Sequence, residues 1–224
     1  MSVPLHDKLK KALIRYNEEE RYLIGRMNDL QLREILQKVY KGPTFEQIVH
    51  FTNCLNLFYS TRLHAAVKRG NIALGTRNKV ILKVAEVIEK KWEPFGLQYV
   101  QSHIKYDHQL VEKLRAALER SLKRNAYSFT TKFFHQLNSR YPILDSNVNA
   151  FMNKEGFKKG VNFYNHSYEV FLAYYQEMMK RLHWPLHQVN QLDNAMWTYT
   201  DLHPKRYFPG RYKAPLGAIA TLVV

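Results

Sequence analysis

The chain holds one cysteine, Cys54, in 224 residues. A lone thiol closes no internal disulfide, which sets aside the small secreted, disulfide-stapled class and points to a cytosolic or nuclear setting. Long apolar runs are missing as well, and no stretch nears the about 20 residues that cross a bilayer. The first residues, MSVPLHDKLKKALIRYNEEE, are too charged for a secretory signal. The expected location is the cytoplasm, with a nucleoid-associated or nuclear place as the alternative. No Walker-type or dinucleotide-binding glycine motif occurs, so nucleotide-driven chemistry has no support. Strand-type alternation is nearly absent, and there is neither a repeat of solenoid length nor a low-complexity segment. Acid is scarce: 19 Asp and Glu stand against 34 Lys and Arg, a net charge of +15. The one acidic cluster, Glu18-Glu19-Glu20, reads as a solvated helix face.

What is present is apolar and basic. Hydrophobic residues make up 46% and aromatics 13% of the chain, enough for a folded core and against a disordered tail. An excess of +15 favours a polyanionic partner, because neutralising phosphates releases their condensed counterions. The charge gathers in three runs. Lys113, Arg115, Arg120, Lys123, Arg124 and Lys132 face the single acid Glu119. Lys154, Lys158 and Lys159 form a second run. Lys205, Arg206, Arg211 and Lys213 interleave with Tyr207, Phe208 and Tyr212 in a third. Cations beside aromatics suit phosphate contact with base stacking. One run alone reads as a solvated face; three together make a nucleic-acid partner the better reading.

Apolar spacing of three and four residues recurs along the chain. It predicts helices from Thr44 to about Gly70, over Val80 to Val87, over Asp107 to Lys123, and through Phe129, Phe133 and Leu137. Further helices are predicted at Val148 to Met152, over Tyr168 to Leu182, and from Pro185 through Tyr199. Phe95 to Ser102, with Gly96 to Gln101 extended, reads as a crossing between helical lobes. Ile219 to Val224 reads as an edge strand. From His203 onward the Pro, Gly and basic residues suggest a draped tail outside the core. The expected architecture is all-α: a compact bundle of about eight or nine helices. It forms one domain over 1–224, or two lobes at about 1–100 and 101–202 with a basic tail over 203–224.

Chemistry concentrates in TTKFFHQLNSRYPILDSNVNAFM, Thr130 to Met152. A helix breaks at Asn138-Ser139-Arg140, and Tyr141-Pro142-Ile143-Leu144 then delivers Asp145 to a second helix start. Asp is a favoured N-cap, so capping alone explains it. The order of helix, break, Pro, two aliphatics and Asp-Ser-x-Val also resembles the second half of the helix-hairpin-helix DNA glycosylase superfamily. Leu144, Asp145, Ser146 and Val148 match a V-D-[ST]-x-V-like context over about thirty residues. The resemblance implies a catalytic carboxylate at Asp145 and chemistry on a flipped base. It implies DNA, more than RNA, along Lys123, Arg124, Ser128, Lys132, Arg140, Ser146, Lys158 and Lys159, with no cofactor. Tyr127, Phe134, Tyr141, Trp184 and Trp197 are the candidate pocket aromatics, and His135 a candidate assistant.

The sequence departs from that family in the hairpin, where glycines grip a phosphate. Ser121 to Ser128 contains none, and the offset of the family's lyase lysine falls on Tyr127. Neither Lys123 nor Lys132 occupies that place, and iron-sulfur cysteines are absent. The reading that remains is a monofunctional base-releasing enzyme, or a relative that binds nucleic acid without cutting. Two further patterns are weaker. His183 and His187 have i, i+4 spacing, but Trp184-Pro185 separates them, and no acidic H-E-x-x-H pattern supports a metal. Arg181 to His187 also resembles the short R-x₄₋₆-H motif of HEPN-type ribonucleases.

Overall fold

In a computed structural model, the described residues are 4–58, 74–100, 107–123, 125–155, 157 and 160–208. They are all-α, with no strand among them. The helices are α1 Leu5–Glu18, α2 Leu23–Val39, α3 Phe45–Phe58, α4 Leu74–Glu89, α5 Trp92–Val100, α6 His108–Leu122, α7 Tyr127–Leu137, α8 Ser146–Lys154, α9 Tyr168–Arg181, α10 Val189–Leu202 and the four-residue α11 Pro204–Tyr207. Two single turns of 3-10 helix lie at Glu20–Tyr22 and Phe163–Asn165.

Local chemistry sets the starts. Thr44 and Gln47 form a reciprocal capping box before α3: the Gln47 amide donates to Thr44 Oγ1 at 3.3 Å and the Thr44 amide to Gln47 Oε1 at 2.9 Å. Asp107 caps α6 through the Gln109 amide at 2.9 Å, and Ser167 caps α9 through the Val170 amide at 3.3 Å.

Three expectations give way. The segment expected to be extended, Gly96 to Val100, is the second half of α5. Gly96 serves close packing there: a Cβ on it would stand 2.5 Å from the Tyr40 carbonyl oxygen, which accepts from Trp92 Nε1 at 3.3 Å. The last long helix begins at Val189, not Pro185. His183, at φ +50°, ends α9, and Pro185 opens a turn closed by the Gln188 amide at 2.9 Å. Tyr207 is a core residue despite the draped tail expected around it, because its ring stacks on Phe151 at 6.3 Å. The expected edge strand at 219–224 lies outside the described residues.

The centre of the molecule is α7. Every residue of it except Ser128 is buried. Phe133 meets Phe51, Trp92, Phe95 and Phe134 edge to face at centroid distances of 5.4 to 6.4 Å. One contiguous core therefore joins helices of both halves of the chain. α1 packs along α10, and α2 and α3 pack on α7. No helix among the described residues is long and apolar enough to cross a membrane.

Candidate functional site

The loop that delivers Asp145 is tied down by buried side chains from three helices. His135 Nδ1, on α7, donates to the Tyr141 carbonyl at 2.7 Å. The Tyr168 hydroxyl, on α9, donates to the Pro142 carbonyl at 3.0 Å. The Ile143 amide donates to Asp193 Oδ2, on α10, at 3.1 Å. Thr131 Oγ1, on α7, accepts from the Leu144 amide at 3.1 Å and lies 3.4 Å from the Leu144 carbonyl. Irregular backbone in a core must find partners for its polar groups, and here side chains supply them. The two aliphatics before the acid are buried anchors: Leu144 is 0% and Ile143 9% exposed.

Asp145 itself divides its oxygens between two tasks. Oδ1 accepts from the Asn147 and Val148 amides at 2.9 and 3.0 Å, the capping geometry at the start of α8. Oδ2 lies 3.3 Å from Lys132 Nζ, and the two side chains are 15% and 7% exposed. A charged pair so withdrawn from water is held in one geometry by its surroundings. Both side chains line a cavity of about 230 Å³. Its walls come from distant parts of the chain: Tyr16 on α1, Gly25, Asn28 and Asp29 on α2, Phe58 on α3, and Asp193, Asn194 and Trp197 on α10.

Three carboxyl groups and one ammonium therefore share this space, and their surroundings differ. Burial pushes Asp29 up from the usual carboxylate range to about 6, against a lowering pull from Arg33 and the hydrogen bonds of Tyr16 and Gln136. The Tyr16 hydroxyl donates to Asp29 Oδ2 at 3.4 Å. Burial also drives Asp193 well upward, although it accepts from the Tyr175 hydroxyl at 2.7 Å and the Ile143 amide. Nearby Asp145 adds to that rise and Lys132 opposes it. His135, fully enclosed, is pushed downward by desolvation, with Nε2 2.9 Å from Asn190 Oδ1. Its Nδ1 also stands 3.6 Å from Asp193 Oδ2.

The remaining candidate residues are dispersed. Lys132 does not lie on an outer phosphate track; it is turned into the cavity and paired with Asp145, because α7 is buried on both its apolar and polar faces. Lys123 and Ser146 are exposed and Ser128 half-buried. Arg140 lines a different cavity, of about 420 Å³, with Tyr175, Met179 and His187. Arg124, Lys158 and Lys159 lie outside the described residues. Of the five candidate aromatics, Trp197 lines the Asp145 cavity. Tyr127, Phe134, Tyr141 and Trp184 belong to the core. Arg181 stacks on Phe157 at 5.6 Å and is not among the residues lining the cavity that His187 borders. Among the described residues no group of three or more His, Cys, Asp or Glu is placed to hold a metal ion.

The α6–α7 turn explains how a hairpin does without glycine. Lys123 takes the left-handed conformation, φ 53° and ψ 39°, that glycine otherwise supplies. The amides beyond it already have partners. Ala126 donates to Glu119 Oε1 at 3.3 Å and Tyr127 to Asn125 Oδ1 at 2.9 Å. A carboxylate and an amide oxygen thus occupy the first free amides of this turn.

Sequence reasoning missed Asp29, Asp193, Tyr16 and Phe58. A signal for the two acids exists. Asp193 stands one turn after Val189 on the buried side of α10, and Asp29 three residues before Leu32 on the buried stripe of α2. An acid on an apolar stripe marks either a buried network or a site. No family model matches the chain, and neither a curated protein nor a solved structure matches it.

Proposed function

We propose that this chain binds DNA and releases a base from it by hydrolysing an N-glycosidic bond, with Asp145 as the acid that serves the sugar. The observation that carries this reading is the placement of Asp145: a fixed carboxylate at a helix start, lining a cavity walled by Tyr16, Phe58 and Trp197. A base taken out of the stack needs such aromatic and apolar walls. The sugar left behind develops positive charge, which a preorganised carboxylate stabilises, and the same group can take a proton from attacking water. Lys132 Nζ, 3.3 Å from Oδ2, orients the Asp145 carboxylate. The net charge of +15 supplies the attraction for the phosphate backbone.

The competing reading is a nucleic-acid-binding protein on the same scaffold that breaks no bond. It draws on the capping role of Oδ1 and on the hairpin amides already satisfied by Glu119 and Asn125. Asp145→Asn separates the two, because Asn caps helices about as well as Asp while carrying no charge. Incubation of the wild type with duplexes bearing damaged or mismatched bases should release a base. The variant should release none while binding the same duplexes with nearly unchanged affinity. Equal base release by both proteins, or none by the wild type across the panel, removes Asp145 as a catalytic group.

A further inference from the structure

Three aspartates line the cavity, and the proposed chemistry needs two; Asp193 has its oxygens engaged by the Tyr175 hydroxyl and the Ile143 amide, which leaves Asp145 and Asp29. Breaking a glycosidic bond with paired carboxyl groups assigns one to the sugar and a second, protonated one to the leaving group. Asp145 fits the first role, with two backbone amides and an ammonium around it. Asp29 lines the same cavity from α2, beside the Tyr16 hydroxyl and the Gln136 side chain. Resting on the base-release reading above, we propose that Asp29 is the general acid that protonates the departing base, which makes the substrate a neutral nucleobase and not one that already carries positive charge.

The step balances without a further reactant. The C1′–N bond breaks and its electron pair passes to the base nitrogen, which takes the proton from the Asp29 carboxyl. Water adds to C1′ and gives its proton to Asp145, and exchange with solvent then takes that proton from Asp145 and returns one to Asp29. The base leaves as a neutral molecule. A neutral base is a poor leaving group as an anion, and protonation in the transition state is worth a rate factor on the order of 10²–10⁴. A base alkylated on a ring nitrogen is already cationic and gains little from the acid. Burial supports the assignment, since it raises the Asp29 carboxyl to about 6 and leaves a protonated fraction near neutral pH. The charged groups around Asp29 are Arg33 on its own helix and, across the cavity, Lys132 with Asp145 and Asp193. Two carboxyl groups with different partners in one cavity are the arrangement that acid and base chemistry at one site needs.

The test is single-turnover base release by the full chain between pH 4.5 and 8.5, on duplexes carrying neutral lesions or mismatches and on one carrying N7-methylguanine. Wild-type release of the neutral base should fall about tenfold per pH unit above the Asp29 titration. Asp29→Asn should lose on the order of 10²-fold or more at pH 6 and lose that limb. Its loss on N7-methylguanine should be at least about tenfold smaller. Tyr16→Phe is the second variant. It removes a hydroxyl that favours the ionised carboxyl, so the limb should move to higher pH. Base release that Asp145→Asn abolishes but Asp29→Asn leaves intact, limb included, overturns the role of Asp29 alone. No release by the wild type from any duplex overturns the base-release reading and this role with it.

Discussion

Lys132 and Asp145 form an ion pair inside the cavity. Read from the sequence, Lys132 closes a basic run that begins at Lys113, which is why it suggests a phosphate contact, and it shares a polar helix face with Thr131, His135 and Gln136. In the fold that face is buried, and each of those polar groups except Gln136 meets the 141–145 segment directly. Spacing shows that a helix has a polar face; it does not show whether that face meets solvent or another part of the chain. Removing one partner from a buried ion pair strands the other, at a cost of about 3 kcal/mol or more. Lys132→Met and Asp145→Asn should therefore each destabilise in urea melts. The double variant should cost less than the sum of the two by about 1 kcal/mol or more. Strict additivity would show the pair to be energetically idle. Asp29 gives a second test, read from pH. Its folded-state carboxyl lies near 6 against an ordinary 3.8. The folded chain holds a proton that the unfolded chain has released in that window, so stability falls as pH rises from about 4 to 6. Asp29→Asn abolishes this loss. The stability of the variant relative to the wild type should rise across the window by up to about 3 kcal/mol, measured by thermal melts at each pH. A flat difference would place the carboxyl in water.

At the scale of elements, the segment from Tyr141 to Leu144 has no helical or strand hydrogen bonding to hold it, and four side chains replace that ladder. The sequence marks the break and the restart, through Asn138-Ser139-Arg140 and the Asp145 cap. It does not mark the clamps, because His135, Tyr168 and Asp193 lie up to 50 residues away in sequence from the groups they hold. Thr131→Val keeps the branched shape but removes the acceptor for the Leu144 amide. An orphaned buried donor costs about 1–3 kcal/mol. Hydrogen exchange should quicken at Leu144, and base release should slow with duplex affinity unchanged. Protection equal to the wild type would show that the loop needs no such clamp. The α6–α7 turn is the other element where chain chemistry and conformation disagree. The apolar stripe Leu110, Val111, Leu114 and Leu118 makes α6 legible, yet nothing about Lys123 announces a left-handed residue. A side chain at such a φ costs about 1–2 kcal/mol, part of which glycine returns as unfolded-state entropy. Lys123→Gly should raise the unfolding free energy by about 0.5–1 kcal/mol.

On the scale of the whole molecule, the balance of acidic and basic residues differs between the chain and its cavity. The chain carries +15, while the cavity presents three aspartates and one lysine. The excess was readable from composition. The cavity was not, because its walls join residues 16–58 to residues 132–197, and no local spacing encodes that meeting. On the proposed base-release reading, the cationic excess would draw phosphates to the exterior, while the cavity would take the base and place the sugar beside Asp145. The same reading predicts how DNA would be gripped. With the Ala126 and Tyr127 amides bonded to Glu119 and Asn125, contacts at the α6–α7 turn would fall to side-chain cations, whose binding is governed by counterion release. Lys123→Ala combined with Arg124→Ala should weaken binding to every duplex sequence alike. It should also reduce the slope of log K against log salt by about 1.8, or about 0.9 for each lost contact. Asp145→Asn, a change inside the cavity, should leave that slope where it is. Affinity of the double variant unchanged at low salt would remove the hairpin from the DNA face and leave the attraction to cations elsewhere on the surface.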